Sequence, residues 1–392
     1  MSHSQNLRVL HVARTVNPKY GGPLHWIQQT ARIRSNQGHQ IEVLTSDGSA
    51  EDCVKNFPVK VHALGPSDSS YGHAPEMKAW LGENLKNYDA VVLHAVWQFP
   101  ALAAGEALIG SGIPYFVIPH GMYDQYFHQG WSPKVFKKLT YWHLKFKKVI
   151  ANASGVLWTN QGELKESAAC YRVCPNNHVI RYGTEIPQYN PDKATQAFSE
   201  YAPQLIGKKF VMFLGRIDPI KNLMSLVEGF AQAFPDGSET ELLLAGPTDH
   251  PYADELHAKA KELGISDRVH MPGLITGPAK AGGLASCWTF ACPSYLESFG
   301  MAVAEGLSYG KPVLISDKVK IRLEVQDGDA GVISTTAPTS IAEKLREMDA
   351  WSQEEYQTKC ANAKSCYESN FTAEGSAEDV TNFILDALGK KV

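Results

Sequence analysis

Short apolar runs alternate with amphipathic stretches along most of the chain. Runs this apolar, separated by segments of helical periodicity, indicate strands of a parallel sheet that is covered on both faces. A helix is predicted from Leu24 to Gln37, because Gly38 follows in the position that commonly ends a helix. The strands predicted in the first half are Leu7–Ala13, Ile41–Thr45, Val59–Leu64, Ala90–His94, Tyr115–Pro119, Gly155–Thr159 and Val179–Tyr182.

The same alternation restarts in the second half of the chain. Gly, Pro, Asn and Gln cluster between Gly183 and Asp192, which predicts the join. We therefore expect an α/β protein with two Rossmann-like, doubly wound domains, 1–187 and 188–371, facing each other across a cleft. Residues 372–392 are expected to form a C-terminal helix packed on the first domain. The strands predicted in the second half are Lys209–Gly215, Glu241–Gly246, Arg268–Gly273, Thr289–Pro293, Pro312–Asp317 and Ala330–Ser334.

Length and composition narrow the class of protein. A chain of 392 residues exceeds what one hydrophobic core usually supports, which agrees with two domains. A net charge of -4 gives no bias toward nucleic acid. The segment Met1–Asn6 lacks the layout of a signal peptide and Ala90–Pro119 is interrupted by polar residues, so we expect a cytoplasmic protein. Seven cysteines fit reduced thiols; Cys170, Cys174 and His178 have metal-like spacing without an evident fourth ligand.

In open α/β sheets, ligands bind outside the carboxyl ends of the strands, so the strand-to-helix junctions are where a site is expected. At the first junction, Gly21 and Gly22 precede a helix. Paired glycines let a ligand approach the backbone, and a helix N-terminus favours anions. The three-glycine fingerprint of nicotinamide-binding proteins is absent there, which argues against a dehydrogenase. A simple flexible turn is the alternative.

The junction near residue 218 carries two cations. Asp218 and Pro219 have the pattern of a helix cap and first helical residue, which would place Lys221 in the first turn. A lysine there opposes the helix dipole unless an anionic ligand is bound. With Arg216 at the end of the preceding strand, the pair suits a diphosphate. Solvated surface charges are the alternative.

The junction near residue 297 carries two carboxylates. A helix is predicted over Met301–Ser308, and Gly300 lets a ligand approach the amides at its start. Glu297 in the loop and Glu305 in the helix are separated by on the order of 12 Å, too far for a glycosidase carboxylate pair. They suit groups that hold hydroxyls at opposite ends of an extended donor. A capping carboxylate and an exposed helix charge are the alternatives.

Two histidines end neighbouring predicted strands. His120 follows a strand of buried type, and Gly121 after it permits a sharp turn. His94 ends the preceding strand and is the rival candidate. The location of His120 at the carboxyl end of a strand favours a functional role over a structural one, and we favour His120 over His94. A histidine with a purely structural role is the alternative.

Four motifs together resemble one family. The stretch Glu297–Glu305 resembles the E-x7-E motif of the retaining family-4 glycosyltransferases, and Gly215–Lys221 resembles their arginine–lysine diphosphate site. The Gly21–Gly22 loop and Ala245–Pro247 also match, in the family's order and spacing. The resemblance implies the GT-B fold and retaining transfer of a sugar from a nucleotide-diphosphate donor, such as a UDP- or GDP-sugar. The implied acceptor is a glycan or a lipid-linked molecule, in polysaccharide or lipopolysaccharide synthesis.

The resemblance also implies a role for each charged residue. Glu297 would bind hydroxyls of the transferred sugar, and Glu305 would hold the donor ribose. Arg216 and Lys221 would neutralise the departing diphosphate. Asn222 departs from the family, which often has glycine after the lysine, and this difference concerns the geometry of the loop.

Further contacts are implied for backbone groups and for the histidine. Gly22, with Gly21, would approach the diphosphate, and His120 would line the sugar pocket. The backbone amides implied to contact phosphate and sugar are those of Phe299, Gly300 and Met301.

No cofactor and no metal are expected. Asp327-Gly328-Asp329 matches the D-x-D pattern by which other glycosyltransferases hold a metal, but Asp-Gly before a short strand is typical of a turn. The arginine–lysine pair can supply the electrostatic function of a metal. A sugar-nucleotide epimerase of the same fold and a non-catalytic nucleotide-sugar-binding protein are the functional alternatives.

A basic and aromatic segment lies at Ser132–Ala151. Such a segment can lie on an anionic membrane surface, which would add peripheral contact with the inner face of the cytoplasmic membrane. A solvated helix packed on its own domain through the aromatic residues is the alternative. Its lysines and aromatic residues are Lys134, Phe136, Lys137, Lys138, Tyr141, Trp142, Lys145, Phe146, Lys147 and Lys148.

Overall fold

The computed structural model describes residues 6–20, 22–67, 69–122, 133–171, 173 and 176–390. The chain divides into two compact units. Unit 1 contains residues 1–185 and 372–392, and unit 2 contains residues 186–371. The C-terminal segment therefore belongs to the same unit as the N-terminus.

A parallel sheet forms the centre of unit 1. Its strands among the described residues are β1 (Arg8–Val12), β2 (Gln40–Thr45), β3 (Lys60–Ala63), β4 (Ala90–His94), β5 (Tyr115–Ile118), β6 (Gly155–Trp158) and β7 (Asn177–Val179). Their spatial order is β3-β2-β1-β4-β5-β6-β7, with Val9 opposite both Ile41 and Ala90. The order reverses between β1 and β4, which makes their carboxyl ends the topological switch point.

The prediction for the last strand of this sheet was misplaced by about two residues. A strand was expected over Val179–Tyr182, whereas β7 ends at Val179. The reason is pairing: β7 is a strand only where it faces β6, and Trp158, the last residue of β6, lies opposite Val179. An apolar run does not reveal where its neighbour ends.

Helices cover both faces of the unit 1 sheet. The first, predicted over Leu24–Gln37, forms over Gly22–Asn36, and Gly38 takes a left-handed conformation after it. A stretch of π-helix, Trp142–Phe146, separates two of the helices. Their bounds are α1 (Gly22–Asn36), α2 (Asp52–Lys55), α3 (Glu76–Asn84), α4 (Phe99–Leu108), α5 (Pro133–Tyr141), α6 (Lys147–Ala151) and α7 (Gln161–Tyr171).

Unit 2 repeats the arrangement. Its strands are β8 (Phe210–Leu214), β9 (Glu241–Ala245), β10 (Val269–His270), β11 (Thr289–Cys292), β12 (Val313–Ser316) and β13 (Gly331–Ser334). They are parallel in the order β10-β9-β8-β11-β12-β13, so the switch point lies between β8 and β11. The strand predicted over Arg268–Gly273 is reduced to two residues because this edge strand pairs with β9 only at Val269 and His270.

The helices of unit 2 follow in chain order. They are α8 (Pro191–Tyr201), α9 (Leu223–Ala233), α10 (Tyr252–Glu262), α11 (Gly277–Ser286), α12 (Met301–Ser308), α13 (Arg322–Asp327), α14 (Pro338–Asp349) and α15 (Gln353–Asn370). The last helix, α16 (Ala373–Ala387), belongs to unit 1 and packs against α1.

Each unit has its own hydrophobic core on its sheet. Leu10, Leu93 and Val117 are fully buried in unit 1, and Phe213 and Leu244 are buried in unit 2. The predicted pair of doubly wound α/β units is confirmed. None of the helices formed by the described residues is long and apolar enough to span a bilayer.

Candidate active site

Two loops meet at the switch point of unit 2. The β8 loop (residues 215–222) follows β8, and the β11 loop (residues 293–300) follows β11. The backbone N–H of Tyr295 donates a hydrogen bond to the carbonyl of Ile220, at 2.9 Å. This bond joins the two loops, so the residues predicted at the second and third junctions belong to one place in the structure.

The β8 loop differs from the predicted helix start. Asp218 is a cap, since its carboxylate accepts the backbone N–H two residues later at 3.0 Å. The turn that it caps is a single 3-10 turn, Pro219–Lys221, and α9 begins only at Leu223. The predicted cap and the position of Lys221 in the first turn are therefore confirmed, but the turn is a separate 3-10 turn and not the start of α9. The Asp-Pro pattern is the same for both kinds of turn, and it cannot show that the chain breaks at Asn222.

Asn222 explains the departure from the family pattern. Its backbone is left-handed, with φ at +58°, a conformation that asparagine tolerates better than most residues. Its buried side-chain amide donates to the carbonyls of Pro293, at 3.1 Å, and Thr336, at 2.8 Å. Asn222 thus joins the β8 loop to the segments that follow β11 and β13, a role that its position after Lys221 did not reveal.

Lys221 and Glu297 form an ion pair between the two loops. Their side chains retain 18% and 21% of their exposure, so both charges are largely withdrawn from water. Burial is the largest single influence and would by itself lower the pKa of Lys221, but the charge of Glu297, the neighbouring Cys292 and the hydrogen bond to Glu297 together outweigh it and raise the pKa above its usual value. The backbone N–H of Lys320 donates to the carbonyl of Glu297 at 3.0 Å. The sequence indicated both side chains as ligand groups but did not predict that they contact each other.

Arg216 is much more exposed to solvent than Lys221. Its side chain is 73% exposed, and its guanidinium lies 3.4 Å from the carboxylate of Asp218. The β9 end that matched the family pattern lies against the same loop: a Cβ built on Gly246 would lie 1.8 Å from the carbonyl oxygen of Gly215. Glycine at position 246 is therefore required for this close approach.

The start of α12 agrees with its prediction. Gly300, with φ at +89°, precedes Met301, and its carbonyl accepts the backbone N–H groups of Val303 and Ala304 at 2.8 and 3.1 Å. Gly300 has no side chain with which to cap the helix, and amides at a helix start favour an anion. Phe299 is buried and packs edge-to-face on Phe371, with ring centroids 5.6 Å apart, which positions the backbone beside Gly300.

Glu305 is not a simple exposed helix charge. It is half-buried and accepts a hydrogen bond from the ammonium of Lys280, on α11, at 2.7 Å. Lys280 was missed by the sequence analysis, because no motif links a residue to a partner 25 positions away. The unit 2 site thus contains two lysine–glutamate pairs and one exposed arginine.

The switch point of unit 1 contains a small cavity. It has a volume of about 110 Å³ and lies at the carboxyl ends of β1, β4 and β5. Gly22 is the first residue of the helix that follows β1, and Gly21 lies outside the described residues. Residues lining the cavity include Thr15, Leu24, His94, Ala95, His120 and Met122.

The two rival histidines are hydrogen-bonded to each other. His94 Nδ1 lies 2.9 Å from His120 Nε2. His120 has a left-handed backbone, with φ at +53°, and the N–H of Gly121 after it donates to the buried carboxylate of Glu163 at 2.7 Å. Burial lowers the pKa of His120 to about 3. Glu163 was not predicted; it positions the turn that contains His120.

The acidic turn does not form a metal site among the described residues. Asp329 has φ at +48° and pairs with Lys359 at 2.5 Å in the turn before β13, so the turn prediction is confirmed for Gly328 and Asp329, whereas Asp327 is the last residue of α13. No group of three histidine, cysteine, aspartate or glutamate side chains suited to a metal occurs within the described part of the chain. Cys174 lies outside it, and the side chain of Cys170 is likewise not described.

The basic segment, described from Pro133 to Ala151, combines features of both interpretations. Trp142 and Phe146 are buried in unit 1, whereas Phe136 and Leu144 are 71% and 78% exposed. Beside it lies a groove of about 690 Å³, here called the aromatic groove. Its lining includes Tyr71, Trp97, Lys137, Lys138 and Tyr141, with Gln98 and Met122, which also line the small cavity.

Family models match most of the chain. The model described as Glycosyltransferase Family 4 matches residues 20–184, and the model described as Glycosyl transferases group 1 matches residues 198–364. The D-rhamnosyltransferase WbpZ of Pseudomonas aeruginosa is 26% identical over 376 residues, covering 94% of this chain and 93% of that protein. The GDP-mannose:cellobiosyl-diphosphopolyprenol alpha-mannosyltransferase of Komagataeibacter xylinus is 24% identical, covering 88% and 84%.

Another relative matches over a shorter stretch. The D-inositol 3-phosphate glycosyltransferase of Nocardia farcinica is 30% identical over 200 residues, which is 48% of this chain and 43% of that protein. Among solved structures, a glycosyltransferase from Rickettsia africae superposes with a TM-score of 0.77 at 14% identity, covering 98% and 99% of the two chains. Anabaena HepE, in complex with UDP and glucose, gives a TM-score of 0.71 at 18% identity, covering 97% and 100%.

The two doubly wound units, with cations and carboxylates at the switch point of the second, define a glycosyltransferase of the GT-B architecture. The chain belongs to glycosyltransferase family 4. The resemblance to this family is thereby confirmed, and the epimerase and binding-protein alternatives are not favoured, because the matched relatives are transferases.

Proposed function

We propose that this protein transfers a sugar, with retention of configuration, from a UDP- or GDP-sugar to a glycan or lipid-linked acceptor. The setting we propose is cell-surface polysaccharide or lipopolysaccharide synthesis in the cytoplasm, at the inner face of the cytoplasmic membrane. The observation that carries the proposal is the Lys221–Glu297 pair at the switch point of unit 2. The pair combines a protonated amine and a carboxylate at the position where open α/β sheets bind ligands, which supports a diphosphate-sugar site.

The pair suits a diphosphate sugar. Lys221 stays protonated because Glu297 raises its pKa, so it offers a permanent cation to the diphosphate. Once Lys221 donates hydrogen bonds to phosphate oxygens, the carboxylate of Glu297 can accept hydrogen bonds from hydroxyls of the transferred sugar. Glu305, held by Lys280, is the proposed partner of the ribose. Arg216 is exposed and can move onto the diphosphate without breaking a strong ion pair.

Catalysis in this proposal is electrostatic. Lys221 and Arg216 stabilise the charge that develops on the departing diphosphate, with the backbone amides of Phe299, Gly300 and Met301. The acceptor hydroxyl attacks the anomeric carbon from the face that the diphosphate leaves, and its proton passes to the departing phosphate oxygen. We propose that the two cations make a metal and other cofactors unnecessary. Gly21 and Gly22 let the backbone approach the diphosphate, and His120 lines the sugar pocket.

The basic segment of unit 1 and the acceptor named for one relative favour a lipid-linked acceptor. The basic segment exposes Phe136, Leu139 and Leu144 together with several lysines. Apolar side chains among lysines suit an anionic bilayer surface, where each lysine contributes about 1 kcal/mol. The Komagataeibacter relative is named for a diphosphopolyprenol acceptor, and an acceptor of that chemistry would be presented at such a surface.

Donor binding is tested by saturation-transfer NMR on the purified chain, with UDP- and GDP-sugars and a chelator present. We expect one donor to bind through base and sugar protons, and Lys221→Ala to lose this binding. Lys209→Ala is the matched control, because Lys209 immediately precedes β8, at its opposite end, and also pairs with a carboxylate. If no nucleotide sugar binds, or if Lys221→Ala binds as well as the unmodified chain, the assignment is wrong.

Retention is tested on the product. Proton NMR of the first product formed should show the anomeric configuration of the donor sugar. An inverted product would contradict the retaining mechanism, and a changed sugar in the absence of acceptor would point to the epimerase instead.

Membrane contact is tested by sedimentation with vesicles. The chain should bind vesicles that contain phosphatidylglycerol more strongly than neutral ones, and Leu144→Ser should reduce this binding. Ile206→Ser is the control, because Ile206 is an exposed apolar residue of unit 2. Equal losses in both variants, or no preference for anionic vesicles, would contradict contact through the basic segment.

A further inference from the structure

Five side chains of unit 1 form a continuous series of hydrogen bonds, here called the histidine network. Arg34 on α1 lies 3.1 Å from His11 Nε2, and His11 Nδ1 on β1 lies 2.8 Å from His94 Nε2. His94 Nδ1 lies 2.9 Å from His120 Nε2, and His120 Nδ1 lies 3.2 Å from the hydroxyl of Tyr182. The network joins the inside of α1 to the small cavity.

The direction of every bond between the rings follows from Arg34. A guanidinium only donates, so His11 Nε2 must accept and its proton must be on Nδ1. His11 then donates to His94 Nε2, which leaves the proton of His94 on Nδ1. His94 in turn donates to His120 Nε2, so the proton of His120 is also on Nδ1, facing Tyr182. One obligate donor therefore determines the tautomer of three rings.

The rings are held uncharged. Burial, with the neighbouring charge of Arg34 as the second cause, lowers the pKa of His11 well below its usual value. Burial also lowers the pKa of His94, again with a contribution from its neighbours. Arg34 is itself fully buried and donates to neutral acceptors, His11 and the hydroxyl of Thr381 on α16. A second positive charge in this network would be repelled by the first.

The network also holds a strained residue. A left-handed backbone strains most residues other than glycine, and His120 keeps this conformation at the edge of the cavity. Its ring is fixed at both nitrogens, by His94 and Tyr182. The ring of Tyr182 is itself stacked on Trp26, with centroids 5.2 Å apart.

We propose that Arg34, His11 and His94 are positioning residues for sugar transfer, which hold His120 as a neutral Nδ1–H ring at the cavity. In this role His120 exchanges no proton with the ligand. It presents an uncharged surface beside a sugar that gains positive charge in an oxocarbenium-like transition state, where an imidazolium would raise the barrier. The effect on catalysis rests on the proposed function, whereas the tautomer does not.

The tautomer is measured directly on the full chain, labelled with ¹⁵N-histidine, by two-bond proton–nitrogen correlation at neutral pH. We expect pyrrole-type Nδ1 and pyridine-type Nε2 signals for all three rings, assigned from the loss of each signal in His11→Asn, His94→Asn and His120→Gln. An Nε2–H or doubly protonated His120 would overturn the proposal. This spectrum needs no donor, so it stands or falls independently of the transferase assignment.

Matched variants test the origin of the effect. Arg34→Met should give His120 a mixture of tautomers and lower kcat by on the order of 10- to 100-fold, because a misplaced group costs about that much. Arg34→Lys keeps a cationic donor and should restore the single tautomer and most of kcat. Unchanged tautomer and kcat in Arg34→Met would overturn the proposal. Thr381→Val removes the other partner of Arg34 and is the control for stability.

A second pair of variants, at His94, tests the proposal without changing Arg34. His94→Leu removes the donor to His120, while His94→Asn keeps an N–H at a similar distance from the backbone. We expect the asparagine variant to retain the Nδ1–H signal of His120 and a higher kcat than the leucine variant, with similar KM for the acceptor. Equal spectra and equal kcat in the two variants would overturn the proposal.

Discussion

Units 1 and 2 share a strand order around their switch points but hold opposite chemistry there. In unit 1 the polar groups that line the small cavity include His94, His120 and Arg14, and burial lowers the pKa of both histidines. In unit 2 they are charged, and the pairs Lys221–Glu297 and Lys280–Glu305 are partly exposed. The difference shows that strand order places a site, whereas solvation and pairing decide its charge.

The switch points of the two units also differ in their backbone strain. At the switch point of unit 1 the left-handed residues among those described are Ala95, His120 and Gly121, and the alanine does not favour that conformation. In unit 2 they are Asn222 and Gly300, both of which tolerate it. We interpret the strain in unit 1 as the consequence of fixing a particular side chain at the cavity, since a glycine there would supply no ring.

The largest expected difference between the two units is the effect of acid on the free energy of unfolding. In the unfolded chain a histidine has a pKa of about 6.5, so below that pH the unfolded state binds more protons than the folded state. The free energy of unfolding should therefore decrease as the pH is lowered. The decrease is up to about 1.4 kcal/mol per pH unit for each of the rings of His11, His94 and His120. The loss continues toward the folded pKa, which is about 3 for His120. Urea unfolding at pH 7, 6 and 5 measures it.

The probe and the control follow from the sequence. All tryptophans except Trp288 and Trp351 belong to unit 1, so tryptophan fluorescence reports mainly that unit. His11→Asn should flatten the pH dependence, whereas a change at the exposed His143 should not. Lys221 has the opposite sign: its raised pKa adds stability that is lost only as the pH rises through that value. Acid-insensitive fluorescence transitions would contradict the neutral network.

Loss of the Lys221 cation should abolish most of the sugar-transfer activity. Lys221→Ala removes the charge that stabilises the departing diphosphate and leaves Glu297 without its partner. We expect kcat to fall by on the order of 100- to 1,000-fold, as for the loss of one preorganised donor. Glu297→Ala should have a comparable effect. Initial rates with the donor identified by NMR measure both, and near-normal rates in either variant would contradict the site.

How far the sequence was informative differs between the same two regions. The alternation of apolar runs predicted both sheets, and the strand-to-helix junctions predicted Lys221 and Glu297, which the structure brings together. The histidine network was invisible, because His11 and His94 are 83 positions apart and nothing local marks them as partners. Hydrogen bonds between distant strands depend on register, which apolar patterns do not specify.

Asn222 is the residue whose change should separate backbone from side-chain effects. Asn222→Ala loses two hydrogen bonds, to Pro293 and Thr336, and keeps the strained backbone. We expect the free energy of unfolding to fall by about 2–3 kcal/mol, from about 1 kcal/mol per bond and the strain. Asn222→Gly should cost about 1 kcal/mol less than the alanine variant, because glycine adopts the left-handed conformation freely. Circular dichroism during urea unfolding measures both, and a glycine variant less stable than the alanine variant would contradict this account.

Arg216 should show the smallest effect on stability and a clear one on binding. Its side chain is 73% exposed and its contact with Asp218 is long, at 3.4 Å, so Arg216→Ala should change the free energy of unfolding by less than about 0.5 kcal/mol. The same change should weaken donor binding by about tenfold, because a charge-assisted bond to the diphosphate is lost. Arg216→Lys should recover part of that binding without the bidentate geometry. Calorimetric titration with the donor measures the affinity of both variants. If Arg216→Ala binds the donor normally, the exposed cation has no part in the site. The charged character of the unit 2 site then rests on its two lysine–glutamate pairs alone.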